Sequence, residues 1–251
     1  MTENKKEKNY VPGMYSKRAK STMNTDQLIG QWIREWETKR LNAIKKHELQ
    51  SRVNNCISFS RKIGVGALEI ADLVGEKTGM RVVDREILEH IANDSDLKKK
   101  TVDFFDERHP GAFNNFASML FGEKSFTMGD YMQHLISAVY SISDDCPTIF
   151  VGRATHLILP RDRVLAVRFI SSKKYRIKRV ANILDIGESA AETKLVEEDK
   201  KQGDFFKKNL KKKDASPYEF DLVINRDYIT DAQWAADLVE HAYILKFGKN
   251  E

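Results

Sequence analysis

The sequence predicts an α/β fold, a parallel sheet of about five strands covered by helices on both faces. Two observations carry this expectation. Short runs that are apolar at successive positions, "CISFS" from Cys56, "RVVD" from Arg81, "TIFVG" from Thr148, "VLAVRFI" from Val164 and "FDLVIN" from Phe220, read as strands buried on both faces. Longer segments with helical spacing lie between or beyond them, and strands alternating with helices are the pattern of a parallel sheet. In open sheets of this kind the ligand crevice lies outside the carboxyl ends of the strands, so the residues that follow each strand are the first candidates for a site.

Residues 1–24 are polar and basic with a Pro-Gly turn, the composition of a flexible tail. From Thr25 the pattern changes. Leu28, Ile29, Trp32, Ile33 and Trp36 recur at helical spacing, and Leu41 and Ile44 extend the stripe. An amphipathic helix over 25–53 is expected, packing Trp32 and Trp36 on the main domain or offering them to a second copy or a protein partner. The remainder, 54–248, reads as one domain.

The first strand is followed by Arg61, Lys62, Ile63 and the turn Gly64-Val65-Gly66. The next residues predict a helix in which Ala67, Ile70, Ala71 and Val74 share a face, with Lys77 and Gly79 where a helix C-terminus favours them. A glycine turn that opens a helix aims several backbone N–H groups and the positive end of the helix dipole at one point, which suits an anion such as phosphate. Glycines also serve such turns for their backbone freedom alone. Against the pattern Gly-x-x-x-x-Gly-Lys-Ser/Thr, Gly66 takes the final glycine, Ala67 the lysine position, Leu68 the hydroxyl position and Arg61 the first glycine. The backbone of a phosphate loop is present without the usual lysine and hydroxyl.

Composition narrows the partners. The 251 residues are 41% hydrophobic and 10% aromatic, enough to bury a core, and carry a formal charge of +5. Of 42 basic and 37 acidic residues, residues 1–50 hold 11 and 6, so 31 of each remain in 51–251. The body is neutral, which argues against a basic nucleic-acid face. Cys56 and Cys146, the two cysteines, read as reduced thiols, and the six histidines show no metal-ligand spacing, so no metal cluster is expected. No apolar run approaches membrane-spanning length, and the charged N-terminus has no apolar segment behind it, so a cytoplasmic protein is expected.

The segment "ISFSRKIGVGALEIA" resembles the opening of the cytidylate kinase-like family, whose loop reads Ile-Ser-Arg-x-x-Gly-Ser-Gly-Gly and likewise often lacks the lysine. Further matches follow in order. "VVDREIL" from Val82 resembles the family's Tyr-Asp-Arg-Glu segment, and "IFVGRATHLIL" from Ile149 its Val-Gly-Arg stretch. "RFISSKKYRIKRVANILDIGESAAE" from Arg168 resembles its arginine-bearing helix, "EEDKKQGDFFKKN" from Glu197 its lid helix, and "YEFDLVINRDYI" from Tyr218 its last strand and turn. The resemblance spans about 54–248. It implies a P-loop kinase-like sheet with a helical lid, preceded here by an N-terminal helical extension, and an ATP- and Mg2+-dependent phosphotransferase acting on a nucleoside monophosphate such as CMP.

Carried over residue by residue, the resemblance implies a donor site at Ser60, Gly64, Val65, Gly66, Ala67 and Leu68, with Arg61, Arg176 and Arg179 as the cations of phosphoryl transfer. It implies an acceptor site at Asp84, Arg85, Arg153, Asp199 and Lys200. Asp84 equally suits a helix cap or an ion pair. Arg153, a guanidinium just past a strand end, is the strongest candidate to bind a nucleotide. Arg176 and Arg179 are three apart on one helix and share a face. Glu69 suits the helix dipole, a magnesium ion or plain solvent exposure. The lid departs from the family's Asp-Lys-x-Arg-x-x-Tyr-Tyr, because Gln202 replaces the arginine and Phe205-Phe206 replace the tyrosines. These losses keep a second reading open, a catalytically weak or inactive nucleotide-binding regulator. The lysines at 207–213 suit a solvated helix end, or attraction of phosphate.

Overall fold

The computed structural model describes residues 53–93 and 129–248, with single residues at 34, 35, 38, 102, 109 and 116. The basic tail 1–24 and nearly all of the expected helix 25–53 lie outside the described residues. Arg34, Glu35 and Thr38 are helical, and Glu35 approaches Arg81 at 3.9 Å.

Five strands form one sheet: β1 (Cys56–Arg61), β2 (Arg81–Asp84), β3 (Thr148–Val151), β4 (Val164–Ile170) and β5 (Leu222–Asn225). Their order is β2-β3-β1-β4-β5, and every neighbouring pair is parallel. Seven helices are described: α1 (Ala67–Thr78), α2 (Arg85–Asn93), α3 (Asp130–Asp145), α4 (Thr155–Ile158), α5 (Lys173–Leu184), α6 (Glu188–Leu210) and α7 (Ala232–Phe247). The chain runs from β1 out to β2, returns to β3, then crosses to β4 on the other side of β1. That reversal places the turn after β1 at the switch point of the sheet, where the crevice of an open α/β fold lies.

The period-2 alternation of the strands sets the two layers. Ile57, Phe59, Leu165, Val167 and Phe169 face one core with Ile70 and Val74 of α1 and Val239 and Tyr243 of α7. Cys56, Phe150 and Val164 face the other core with Ile87 and Leu88 of α2, Leu135 and Val139 of α3, and Phe206 and Leu210 of α6. Ser58 belongs to this second face. Its hydroxyl meets Thr155 at 2.6 Å, so two buried side chains satisfy each other where α4 crosses the sheet.

Strand ends differ slightly from expectation. β1 runs on to Arg61, which is in register with Phe169. β5 begins at Leu222, because Phe220 donates to Pro217 in the 3₁₀ turn Pro217–Glu219. Both cysteines are free thiols, and burial pushes Cys56 up to about 12. No helix among the described residues is long and apolar enough to cross a membrane.

A third, smaller apolar cluster fixes the last two helices before β5 to the glycine turn. Ile63 packs with Val180, Ala181 and Leu184 of α5 and with Ala191 and Leu195 of α6. Ser172 caps α5 by accepting from Tyr175, and α5 ends at Asp185 in the left-handed conformation, φ 56°. α6 then runs for 23 residues, about 35 Å, back across the carboxyl ends of the strands.

Candidate functional site

The glycine turn has the backbone its sequence predicts. Gly64 and Gly66 sit at φ 84° and 86°, a region that a Cβ makes costly. Gly66 caps α1 without any side-chain bond, so the first N–H groups of α1 open on the turn. Arg61 to Leu68, with Asp84 and Val151, enclose a small cavity of about 20 Å³, room for about one water molecule. Val65, Ala67 and Leu68 are buried, and they line it while packing in the core.

Arg176 and Arg179 do come together here. A Cβ on Gly66 would lie 2.8 Å from Nε of Arg179, so the guanidinium rests on the turn where the glycine leaves room. Arg179 donates to Glu69 at 2.5 Å. Glu69 therefore binds the site arginine rather than facing solvent alone, although its place in the first turn of α1 also suits the dipole. Arg176 is buried. It donates to the carbonyl of Ile63 at 3.2 Å and to both oxygens of Asp199 at 2.8 and 2.9 Å. Gln202, in place of the lid arginine, donates to the carbonyl of Arg61 at 2.8 Å. α6 is thus closed on the loop by Asp199, Gln202 and Leu195.

A second group lies past β2 and β3. Asp84 is a helix cap, accepting from the backbone N–H groups of Glu86 and Ile87 at 3.0 and 3.1 Å, while also lining the turn's cavity. Arg85 meets Glu198 of α6 at 3.5 Å. After β3, Gly152, Arg153 and Ala154 all have positive φ, at 101°, 52° and 55°. Consecutive left-handed residues store strain that the surrounding structure has to hold, and here they aim Arg153 at Glu89 and over the ring of Phe205, 4.4 Å from its centroid. Burial, then the positive charges of Arg85 and Arg61, push Arg153 down to about 9. Arg61 itself lies over Gly152, whose Cβ would be 3.5 Å from its Cζ. Three arginines from three strand ends are therefore neighbours, and Glu89 and Glu198 offset their charge.

Two candidates fall elsewhere. Ser60 points to the opposite side of β1 from Phe59, where its hydroxyl accepts from Arg168 at 3.3 Å instead of lining the small cavity at the glycine turn. Lys200 is exposed on α6, because Glu198, Gln202 and Phe205 take the inner face at helical spacing. Sequence reasoning missed Glu89, Glu198 and Arg168. Arg168 also donates to Asp214 at 3.2 Å, holding the segment after α6; its place inside an otherwise apolar strand was the available signal. The lysine run ends α6. Lys207, Lys208 and Lys211 are exposed, and Lys212 donates to Glu219 at 2.8 Å.

Beside the Glu69–Arg179 pair lies a wider cavity of about 400 Å³, lined by Tyr175, Lys178, Asn182, Arg226 and Thr230. Its size is that of a small-molecule pocket. Arg226 is buried and donates to the carbonyls of Thr230 and Asp231, both at 2.9 Å, which fixes the turn at the cavity's rim. Among the described residues no three His, Cys, Asp or Glu side chains cluster as metal ligands.

The fold and the glycine turn define a P-loop-type α/β protein. A family model of the cytidylate kinase-like family matches residues 56–228. The chain belongs to that family. Among solved structures, an uncharacterized protein from Eubacterium ventriosum is similar over 76% of this chain and 98% of its own, at 17% identity and a TM-score of 0.57, which shows the fold. Weaker likenesses are to a shikimate kinase from Bacteroides thetaiotaomicron (11% identity, 76% and 96% covered, TM-score 0.36) and a dephospho-CoA kinase from Campylobacter jejuni (14%, 76% and 98%, TM-score 0.31). No curated protein matches the sequence.

Proposed function

We propose that this chain is an ATP-dependent phosphotransferase with a nucleoside monophosphate of the CMP type, or a related small molecule, as acceptor. The observation that carries the reading is the convergence of two cationic groups on the carboxyl ends of the strands, Arg176 and Arg179 at the glycine turn and Arg61, Arg85 and Arg153 beside it. The turn's N–H groups bind the donor phosphates, and the 400 Å³ cavity beside Arg179 takes the base end of the donor. Arg61, Arg176 and Arg179 neutralise charge on the transferring group, and Arg85 and Arg153 hold the acceptor. Such chemistry depends on positioning and on cations and needs no covalent intermediate.

Magnesium bound with the nucleotide would shield the charge of its phosphates, and Asp84 and Glu69 are the carboxylates at the turn and the adjoining cavity that would hold it, since Leu68 supplies no hydroxyl. The setting we assign is cytoplasmic, with nucleotides as ligands and with the Trp-bearing segment 25–53 as the contact for a second copy or a partner protein.

A specific observation favours the second reading, a nucleotide-binding regulator with little turnover. Arg85, Arg153, Arg176 and Arg179 each already hold a carboxylate of this chain. Calorimetric titration with ATP and then CMP, each with magnesium, followed by an assay for ADP and CDP, separates the two. Binding with turnover supports the kinase. ATP binding with no turnover of CMP or of a panel of other acceptors supports the regulator, and no nucleotide binding refutes both.

A further inference from the structure

The group around Arg85 and Arg153 contains hydrogen-bond donors that the carboxylates leave unused. Nε of Arg85 and Nε of Arg153 are buried without a hydrogen-bond partner among the described residues, the former 3.9 Å from the carboxylate of Glu89, and the hydroxyl of Tyr131 is likewise buried without one. Tyr131 is the second residue of α3. Its ring meets Phe205 edge-on at 6.3 Å, and Phe205 lies under the guanidinium of Arg153. Burial pushes the phenol up to about 12, with the nearby charge of Arg85 opposing, so at neutral pH it keeps its proton and is able to donate. Buried donors normally have acceptors, and several unsatisfied in one place call for a missing group.

We propose that Tyr131 is a binding residue of the acceptor site, its hydroxyl donating to a tetrahedral oxyanion, the phosphate of the acceptor, that Arg85 and Arg153 hold. A phosphate presents lone pairs in three or more directions, enough for two guanidinium Nε–H groups and a phenol. The carboxylate of Glu198, 3.5 Å from Arg85 and almost fully buried, marks the place that the anion would take. This inference rests on the acceptor-site reading above and adds a residue to it.

The test is Tyr131→Phe, which removes one oxygen, titrated with CMP, with inorganic phosphate and with ATP, beside the wild type. The expected result is CMP and phosphate affinity about tenfold weaker, with ATP affinity unchanged and a melting temperature no lower, since the deleted hydroxyl has no partner in the folded chain. Wild-type affinity for CMP and phosphate in the variant overturns the inference while leaving the acceptor site standing. Equal loss of CMP and ATP binding also overturns it, because that marks Tyr131 as a packing residue. A wild-type protein that binds neither CMP nor phosphate removes the acceptor site itself.

Discussion

Gly66→Ala tests the glycine turn at the atom where backbone and cation meet. The residue is at φ 86°, and placing a Cβ in that region costs about 1–2 kcal/mol. The new Cβ would also stand 2.8, 3.0 and 3.1 Å from Nε, Nη2 and Cζ of Arg179. Contacts this short force the guanidinium away by several tenths of an ångström, which breaks its 2.5 Å bond to Glu69. That pair is partly exposed, so its loss adds only about 0–1 kcal/mol. The total expected loss of stability is about 1–3 kcal/mol, or several degrees in Tm. ATP affinity should fall by at least about tenfold, because both the N–H groups and the arginine are displaced. Gly79→Ala is the control. Gly79 has φ 70° with nothing within 4 Å of its Cβ, so it should show the backbone cost with no loss of ATP binding. Urea denaturation and calorimetry with ATP read both variants. If Gly66→Ala binds ATP as the control does, the turn is not the donor site.

Three further outcomes are expected. Asp199→Asn removes the charge that holds Arg176 at two bonds, and should cost roughly 1–3 kcal/mol and speed amide hydrogen exchange along α6; unchanged exchange would show that α6 is held by its apolar contacts. Ile63→Ala empties the apolar cluster joining the turn to α5 and α6, and urea denaturation should show a loss of about 2–5 kcal/mol. Acidification should destabilise the protein in two steps. Burial holds His156 below its ordinary 6.5 despite its bond to Glu219, so the unfolded chain takes up this proton first and stability falls as the pH drops through about 6.5. For Glu219 burial acts upward, but the bonds from His156 and Lys212 prevail and hold it at about 2, so stability is lost again below its ordinary 4.5. His156→Gln should abolish the first step in urea midpoints measured from pH 8 to 5, and a flat wild-type midpoint across that range would contradict the assignment.

The residue pattern by itself determined the sheet, because a strand buried on both faces must be apolar at every position and a helix on the sheet must be apolar at every third or fourth. It also determined the turn, since Gly64 and Gly66 occupy φ values open to few other residues. The tertiary structure decided what the charged side chains do. Arg176 and Asp199 are 23 residues apart, Arg179 and Glu69 110, and Arg85 and Glu198 113. No local periodicity links positions so distant, so sequence placed these arginines near a site without revealing that each meets a carboxylate there. The same reason explains the departures. Ser60 faces Arg168 because the pleat of β1 turns it from the crevice, and Lys200 faces solvent because the rotation of α6 gives the inner face to Glu198, Gln202 and Phe205. Tyr131 follows a stretch of mostly undescribed residues and has no motif around it, so only the packing of α3 brings its ring against Phe205.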